Sequence, residues 1–347
     1  MDLKPALYGL DLDEAKQLVG SAGFPAYRAA QLVEWLYQKH ITSLEEAKNL
    51  PRTLRDKLSQ YELHTLNFAE DRDSFDHESV KFLFKTRDEH LLESVLISQK
   101  DRRTVCVSTQ LGCKIGCIFC ASGKGKFGRN LTAGEIIEQV VWIEKKIGQS
   151  VTNVVFMGMG EPLDNFEATM KALKILQAPW GFGLGARRIT VSTSGITPKI
   201  VEFVKASDGR VRLSVSLHSS QEKKRSELVP INRKYTLRAL VETLNQLHRR
   251  LKREITFEYT LMEGVNDSRQ EAEGVAKIAA PLGAKVNIIP YNPIREMDFK
   301  TPSQEKIEAF RTILQKHGIR VTVRQTAGRD IDAACGQLRL DREKTRN

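Results

Sequence analysis

The run Gly112-Cys113-Lys114-Ile115-Gly116-Cys117-Ile118-Phe119-Cys120 restricts this chain more than any other stretch. Three of the five cysteines fall within eight residues, spaced Cys-x-x-x-Cys-x-x-Cys, so one loop can turn their sulfurs toward a common point. Three thiolates hold three irons of a cubane cluster and leave the fourth iron without a protein ligand, whereas an electron-transfer ferredoxin brings four cysteines. An open iron points to chemistry. Zinc is the competing metal, but structural zinc takes four tetrahedral ligands, and the nearest histidines, His90 and His218, are remote in sequence. Buried thiols without metal are the third reading.

The rest of the composition limits the setting. With 347 residues, 41% hydrophobic and 28% charged, the chain can bury a large core. No apolar run approaches the roughly 20 residues that span a bilayer. The start, Met1-Asp2-Leu3-Lys4-Pro5, has no basic segment followed by an apolar one, so a cytoplasmic location and no membrane contact are expected. An odd number of cysteines, three of them crowded together, argues against a secreted disulfide framework. The net charge of +11 suits a polyanionic partner and favours nucleic acid over an acidic metabolite. The plainer alternative is a basic surface that only confers solubility.

Along the chain, residues 1–60 show apolar positions at helical spacing, with Leu12, Ala15, Leu18 and Val19 in one stretch and Ala30, Leu32, Val33 and Leu36 in the next. This predicts a small basic helical domain, either a grip on a substrate too large for the active site or a packing cap. Short alternating runs over 61–97 predict a hairpin or small sheet, and 61–100 is assigned as a β-rich extension. A β-rich run over 103–110 leads into the cysteine loop. Strands are then expected at 153–157, 188–192, 212–217, 255–260, 286–290 and 319–324, separated by helices at 133–147, 166–176, 198–205, 237–251, 269–280 and 304–317. Repeated βα units imply an α/β fold with a parallel sheet and helices outside, here an open partial (βα)6 barrel over 101–326. In such folds the functional residues gather at the C-terminal strand ends.

The cysteine spacing resembles the signature of radical S-adenosylmethionine (SAM) enzymes, which implies a [4Fe–4S] cluster whose free iron chelates SAM. After the next strand comes Gly158-Met159-Gly160-Glu161-Pro162, where glycines permit close backbone approach to a ligand and Glu161 can accept from the SAM amino group. Ser192-Thr193-Ser194-Gly195 and Ser216-Leu217-His218-Ser219 place hydroxyls at two further strand ends, where ordinary turn capping is the alternative. Asn292 closes another strand within Pro290-Tyr291-Asn292-Pro293. Two cysteines remain, Cys106 just before the cluster loop and Cys335 near the C-terminus, and each alone reads as a small buried apolar side chain.

Taken together with Pro230-Ile231-Asn232, Gly264-Val265-Asn266-Asp267 and the segment Asp330-Ile331-Asp332-Ala333-Ala334-Cys335-Gly336-Gln337-Leu338, these motifs resemble the RlmN/Cfr family of radical SAM RNA methyltransferases, in its RlmN branch. The resemblance runs from the N-terminal module to Leu338. It implies methylation of C2 of an adenosine in 23S rRNA, at the peptidyl-transferase centre, and of the adenosine beside the tRNA anticodon. It further implies that Cys335 is first methylated by one SAM and carries the methyl, that Cys106 resolves a protein–RNA crosslink as base and disulfide partner, and that Glu93 accepts a proton. Gly160, Glu161, Ser192, Ser216, Leu217, His218 and Asn292 match positions that contact SAM; Cys113, Cys117 and Cys120 match the cluster ligands. A small reducing protein such as flavodoxin or ferredoxin and a monomeric enzyme complete the expectation, with residues 327–347 as cysteine loop and frayed tail. By itself Glu93 reads as a solvated strand residue. Basic candidates for RNA contact are Lys124, Lys126 and Arg129, the run 223–225 and the run 248–253. The rivals are a Cfr-type C8 methyltransferase and a non-catalytic, metal-containing RNA-binding protein.

Overall fold

The computed structural model describes residues 5–75, 77–294, 297–324, 331, 333–334 and 336–338; Cys335, most of the segment before it and the tail 339–347 lie outside the described residues. The first sixty residues fold as the periodicity predicts, into α1 (Leu12–Ser21), α2 (Tyr27–Tyr37) and α3 (Arg52–Leu58). Asp11 caps α1 by accepting from the N–H groups of Asp13 and Glu14, and Glu14 returns a bond to the Asp11 N–H, a reciprocal capping box. Ala15 and Val19 of α1 and Leu32, Val33 and Leu36 of α2 have no or almost no exposed surface.

A three-stranded antiparallel meander follows, β1 (Leu66–Asp73), β2 (Ser79–Thr86) and β3 (Leu91–Gln99), then β4 (Arg102–Cys106), which runs antiparallel to β3. The expected small sheet is therefore not separate. Register pairing of Val95 with Cys106 fuses the meander to the barrel in one ten-stranded sheet whose spatial order equals its sequence order. From β4 onward every neighbour is parallel, through β5 (Asn153–Phe156), β6 (Ile189–Thr193), β7 (Arg212–Ser216), β8 (Thr256–Leu261), β9 (Lys285–Pro290) and β10 (Val321–Val323). The sheet is open between its first and last strands, as a partial barrel requires.

The one-turn helix α4 (Ala121–Lys124) ends the cysteine loop, and α5 (Ala133–Ile147) is the first crossover helix. The outer layer continues with α6 (Phe166–Gln177), α7 (Thr197–Ala206), α8 (Glu222–Leu228), α9 (Leu237–Leu247), α10 (Arg269–Ala279) and α11 (Gln304–Lys316). Thr132 and Glu135 form the capping box that their spacing predicts for α5. Helix α9 stops short of the expected 251, because the chain turns so that the Lys252 N–H reaches the Gly209 carbonyl at 3.0 Å. Helix α8 is too short for its periodicity to register in the sequence.

Helix α5 also welds the N-terminal module to the barrel. Its Glu138 carboxylate, without exposed surface, lies 2.6 Å from His64 Nδ1 and accepts from the Thr65 N–H at 2.5 Å. On α6, Lys171 and Lys174 donate to Glu14 at 2.6 Å and to Asp11 at 2.8 Å.

Candidate active site

The cysteine loop is pinned by its apolar members. Ile115 and Phe119 join a satellite core with Ile196, Leu228, Val229, Met262 and Tyr291, which seats the loop over the C-terminal strand ends. The Ile118 N–H donates to the Leu228 carbonyl at 3.1 Å. Gly112, at φ 77°, lies so close to the Lys126 carbonyl that a Cβ would come within 2.6 Å of it. Cys113, Cys117 and Cys120 consequently line one cavity of ≈ 150 Å³, together with Gly160, Glu161, Ser192, Ser216 and His218. Burial pushes the Cys113 thiol up to about 12 and the Cys117 thiol well above its ordinary value. Thiols in such a place become thiolates when a metal takes the proton's position.

Among the described residues, no three His, Cys, Asp or Glu side chains converge closely enough to share one ion. The thiols instead ring a cavity, an arrangement that suits a cluster, whose corners stand apart, better than a single zinc. The donor set fits an iron–sulfur cluster with one iron left free of protein.

Glu161 is 2% exposed, and its two carboxylate oxygens accept from the Leu163 N–H at 3.1 Å and the Ser194 N–H at 2.7 Å. Burial raises its pKa, and these bonds oppose the rise. The carboxylate lines the cavity, where a cationic donor can reach it. The Glu161 N–H in turn donates to Gln110 Oε1 at 2.8 Å, and Gln110 Nε2 donates to Asn130 and Asp164, each at 2.8 Å. Gln110 was not legible as a site residue; it ties the glycine-rich turn to the base of the cysteine loop.

His218 lines the cavity from a left-handed backbone position, φ 57°. Its Nδ1 accepts from the Thr260 N–H at 3.0 Å, and its ring meets Phe119 edge-on at 4.7 Å. Burial, and then the nearby Arg225 charge, lower its pKa to about 3, so the ring is neutral at physiological pH. Asn266, with no exposed surface, holds this segment by donating to the carbonyls of His218 and Thr260, both at 2.8 Å.

The structure does not bring every predicted residue to the cavity wall. Leu217 is buried in the main core and turns its carbonyl toward Arg225 Nε at 3.1 Å. Asn292 is 3% exposed and is not among the lining residues, although its neighbour Tyr291 is. Glu93 is 7% exposed, with Oε1 3.1 Å from Lys81 Nζ, which corrects its reading as a solvated residue. It shares a face of β3 with Val95, the register partner of Cys106. Two basic candidates are also corrected. Arg129 is committed to Asp88 at 2.7 Å and Glu135 at 2.6 Å, and Arg225, in the run 223–225, has no exposed surface.

Arg225 braces the site from behind. It donates to the carbonyls of Leu217 at 3.1 Å, Ser194 at 2.7 Å and Ser216 at 3.0 Å, and to Asn232 Oδ1 at 2.5 Å. One guanidinium thereby ties together the turns after β6 and β7 and the Pro230-Ile231-Asn232 motif.

The C-terminal segment reaches the same place. The Ala121 N–H donates to the Gly336 carbonyl at 2.8 Å and Ser122 Oγ to the Leu338 carbonyl at 2.5 Å. Cys106, Cys120, Ala334 and Gly336 line a small cavity of ≈ 60 Å³. Cys335 itself lies outside the described residues.

A ring of three thiols at the mouth of a partial barrel, facing a buried carboxylate, defines a radical SAM enzyme. Residues 107–273 match the family model of the radical SAM superfamily, and residues 6–63 match that of the ribosomal RNA large subunit methyltransferase N-terminal domain. A Geobacillus kaustophilus protein named "Probable dual-specificity RNA methyltransferase RlmN" is 43% identical over 345 residues, covering 98% of this chain and 94% of that protein. The Bacillus subtilis protein of the same name is 44% identical over 340 residues, covering 97% and 93%. A crystal structure of a radical SAM methyltransferase from Sphaerobacter thermophilus superposes with a TM-score of 0.93 at 44% identity, covering 96% of this chain and 99% of that one. The chain belongs to the RlmN family of radical SAM methyltransferases.

Proposed function

We propose that this protein methylates RNA, adding a methyl group to C2 of an adenosine in 23S rRNA and of the adenosine beside the tRNA anticodon. C2 of adenine is an electron-poor aromatic carbon with no lone pair to attack the methyl of SAM, so polar transfer fails there and a radical route is required. Bound by Cys113, Cys117 and Cys120, a [4Fe–4S] cluster with SAM supplies the one-electron cleavage that generates a hydrogen-abstracting radical. Gly160, Glu161, Ser192, Ser216, Leu217, His218 and Asn292 hold SAM, with Glu161 accepting from its amino group and Leu217 and Asn292 supporting the wall from behind rather than lining it. Cys335 carries the methyl, Cys106 resolves the protein–RNA crosslink as base and disulfide partner, and Glu93 takes up a proton beside it.

One observation carries this reading: the residues flanking Cys335 are hydrogen-bonded to the turn that leaves the cluster loop and share a cavity with Cys106. In this account residues 1–60 grip RNA, 61–100 extend the sheet, 101–326 form the radical-generating barrel and 327–347 bear the methyl carrier. The enzyme works in the cytoplasm as a monomer and receives electrons from a small protein such as flavodoxin or ferredoxin. The target base must be presented unstacked, because an adenine buried in a helix cannot reach the cysteine.

Anaerobic reconstitution with iron and sulfide tests the radical class. The expected product is a brown protein that releases 5′-deoxyadenosine when given SAM and dithionite. A colourless, zinc-replete protein that leaves SAM intact contradicts it and supports the structural-metal alternative.

A further inference from the structure

The barrel holds a second chamber at the opposite, N-terminal end of its strands. At ≈ 460 Å³ it is larger than the ≈ 150 Å³ cavity at the cysteine loop, and Met157, Glu258 and Arg324 border both. Its rim is built from strand starts: Arg102 opens β4, Arg212 opens β7 and Lys285 opens β9. With Arg324, four cations face this chamber against one carboxylate, Glu258.

That carboxylate offsets the rim only in part, through its attraction to Arg324 and Lys285. Glu258 is 6% exposed, and its oxygens are taken by Ser214 Oγ at 3.0 Å and Asn287 Nδ2 at 2.7 Å. Among the described residues, the side chains of Arg102, Arg212 and Lys285 make no ion pair and no hydrogen bond, whereas Arg238 and Arg269, exposed like Arg102 and Arg212, each pair with a glutamate at 2.8 Å. After burial, the Arg212 and Arg188 charges are what depress the Arg102 guanidinium, so the cations lie close enough to repel one another. Four cations against one carboxylate leave an excess of positive charge, which focuses an anion into the space it encloses. The hydroxyls of Thr104, Thr190 and Thr256 line the same space and add neutral donors.

We propose that this chamber is a binding site for a free diphosphate group, as in pyrophosphate or a nucleoside diphosphate. A single phosphate ester carries roughly two negative charges at most near neutral pH, too few for this rim, and a diphosphate matches it better. Among the described residues no aromatic side chain lines the chamber, so no base-stacking platform is offered and recognition falls on the phosphates. Arginine forks suit phosphate oxygens in geometry as well as charge. The site stands apart from the thiols and from the proposed methyl transfer, and it does not depend on that reading.

Isothermal titration of the reconstituted enzyme with inorganic pyrophosphate at low salt tests it, with iron content measured before and after. Saturable one-to-one binding is expected, weakened about tenfold or more by Arg102→Ala and by Arg212→Ala, the loss typical of one charged hydrogen-bond donor, and unchanged by Arg238→Ala. Without pyrophosphate the two rim variants should melt no lower than the parent, since each removal relieves repulsion; with it they should lose the rise in melting temperature that the parent gains. No saturable binding, or binding indifferent to both rim variants, overturns the proposal. If the variants instead flatten the salt dependence of RNA binding while pyrophosphate does not bind, the cations serve the RNA backbone and the free-diphosphate site is refuted.

Discussion

A guanidinium without exposed surface carries a large desolvation cost unless its N–H groups find acceptors. Arg225 meets that condition with four neutral oxygens on three segments, and the same bonds fix the strand-end turns beside His218. Replacing it with Met keeps the volume but strands those acceptors. We expect Arg225→Met to lower unfolding stability by about 3 kcal/mol and to weaken SAM binding. Arg225→Lys should recover only part of either, because an ammonium cannot reproduce the fork. Denaturant unfolding and a SAM titration read both quantities; a Met variant with parental stability and affinity would show that the brace is dispensable. Sequence reading misplaced this residue for a plain reason. Arg225 follows Lys223 and Lys224, and a charge run reads as a solvated face until the fold shows which member turns inward. Glu93 misled in the same way, whereas the three clustered cysteines were legible because their spacing alone restricts what they can hold.

At the scale of elements, strand and helix alternation was legible because apolar periodicity and capping boxes are local signals, and the Thr132–Glu135 box marks the start of α5 in both sequence and structure. Contacts between distant segments were not. The glycines at 158 and 160 read as room for a ligand, yet what excludes a side chain there is protein. A Cβ on Gly160 would come within 2.6 Å of the Gln110 side chain and 2.8 Å of its backbone nitrogen, at a φ of 101° that suits glycine. Gly160→Ala must therefore push the turn off the segment after β4 and shift the neighbouring Glu161. The expected cost is about 2 kcal/mol or more, with SAM affinity falling in parallel. A Gly160→Ala enzyme that melts with the parent and binds SAM as well would mean that the turn has slack.

Across the whole molecule, three separate pieces join the barrel. The N-terminal module is held by α5 and α6, the meander extends the sheet by register pairing of β3 with β4, and Gly336 and Leu338 bond to the turn after Cys120. Only the last meeting bears on the methyl carrier, and no local pattern foretells it, since Cys120 and Gly336 are more than two hundred residues apart. In the proposed mechanism the methyl passes through Cys335 to C2 of adenosine. Mass spectrometry of nucleosides from RNA treated with the reconstituted enzyme, beside its Cys335→Ala variant, tests this most directly. We expect 2-methyladenosine from the parent and no methylated adenosine from the variant; 8-methyladenosine in place of 2-methyladenosine, or full methylation by Cys335→Ala, would rule this route out.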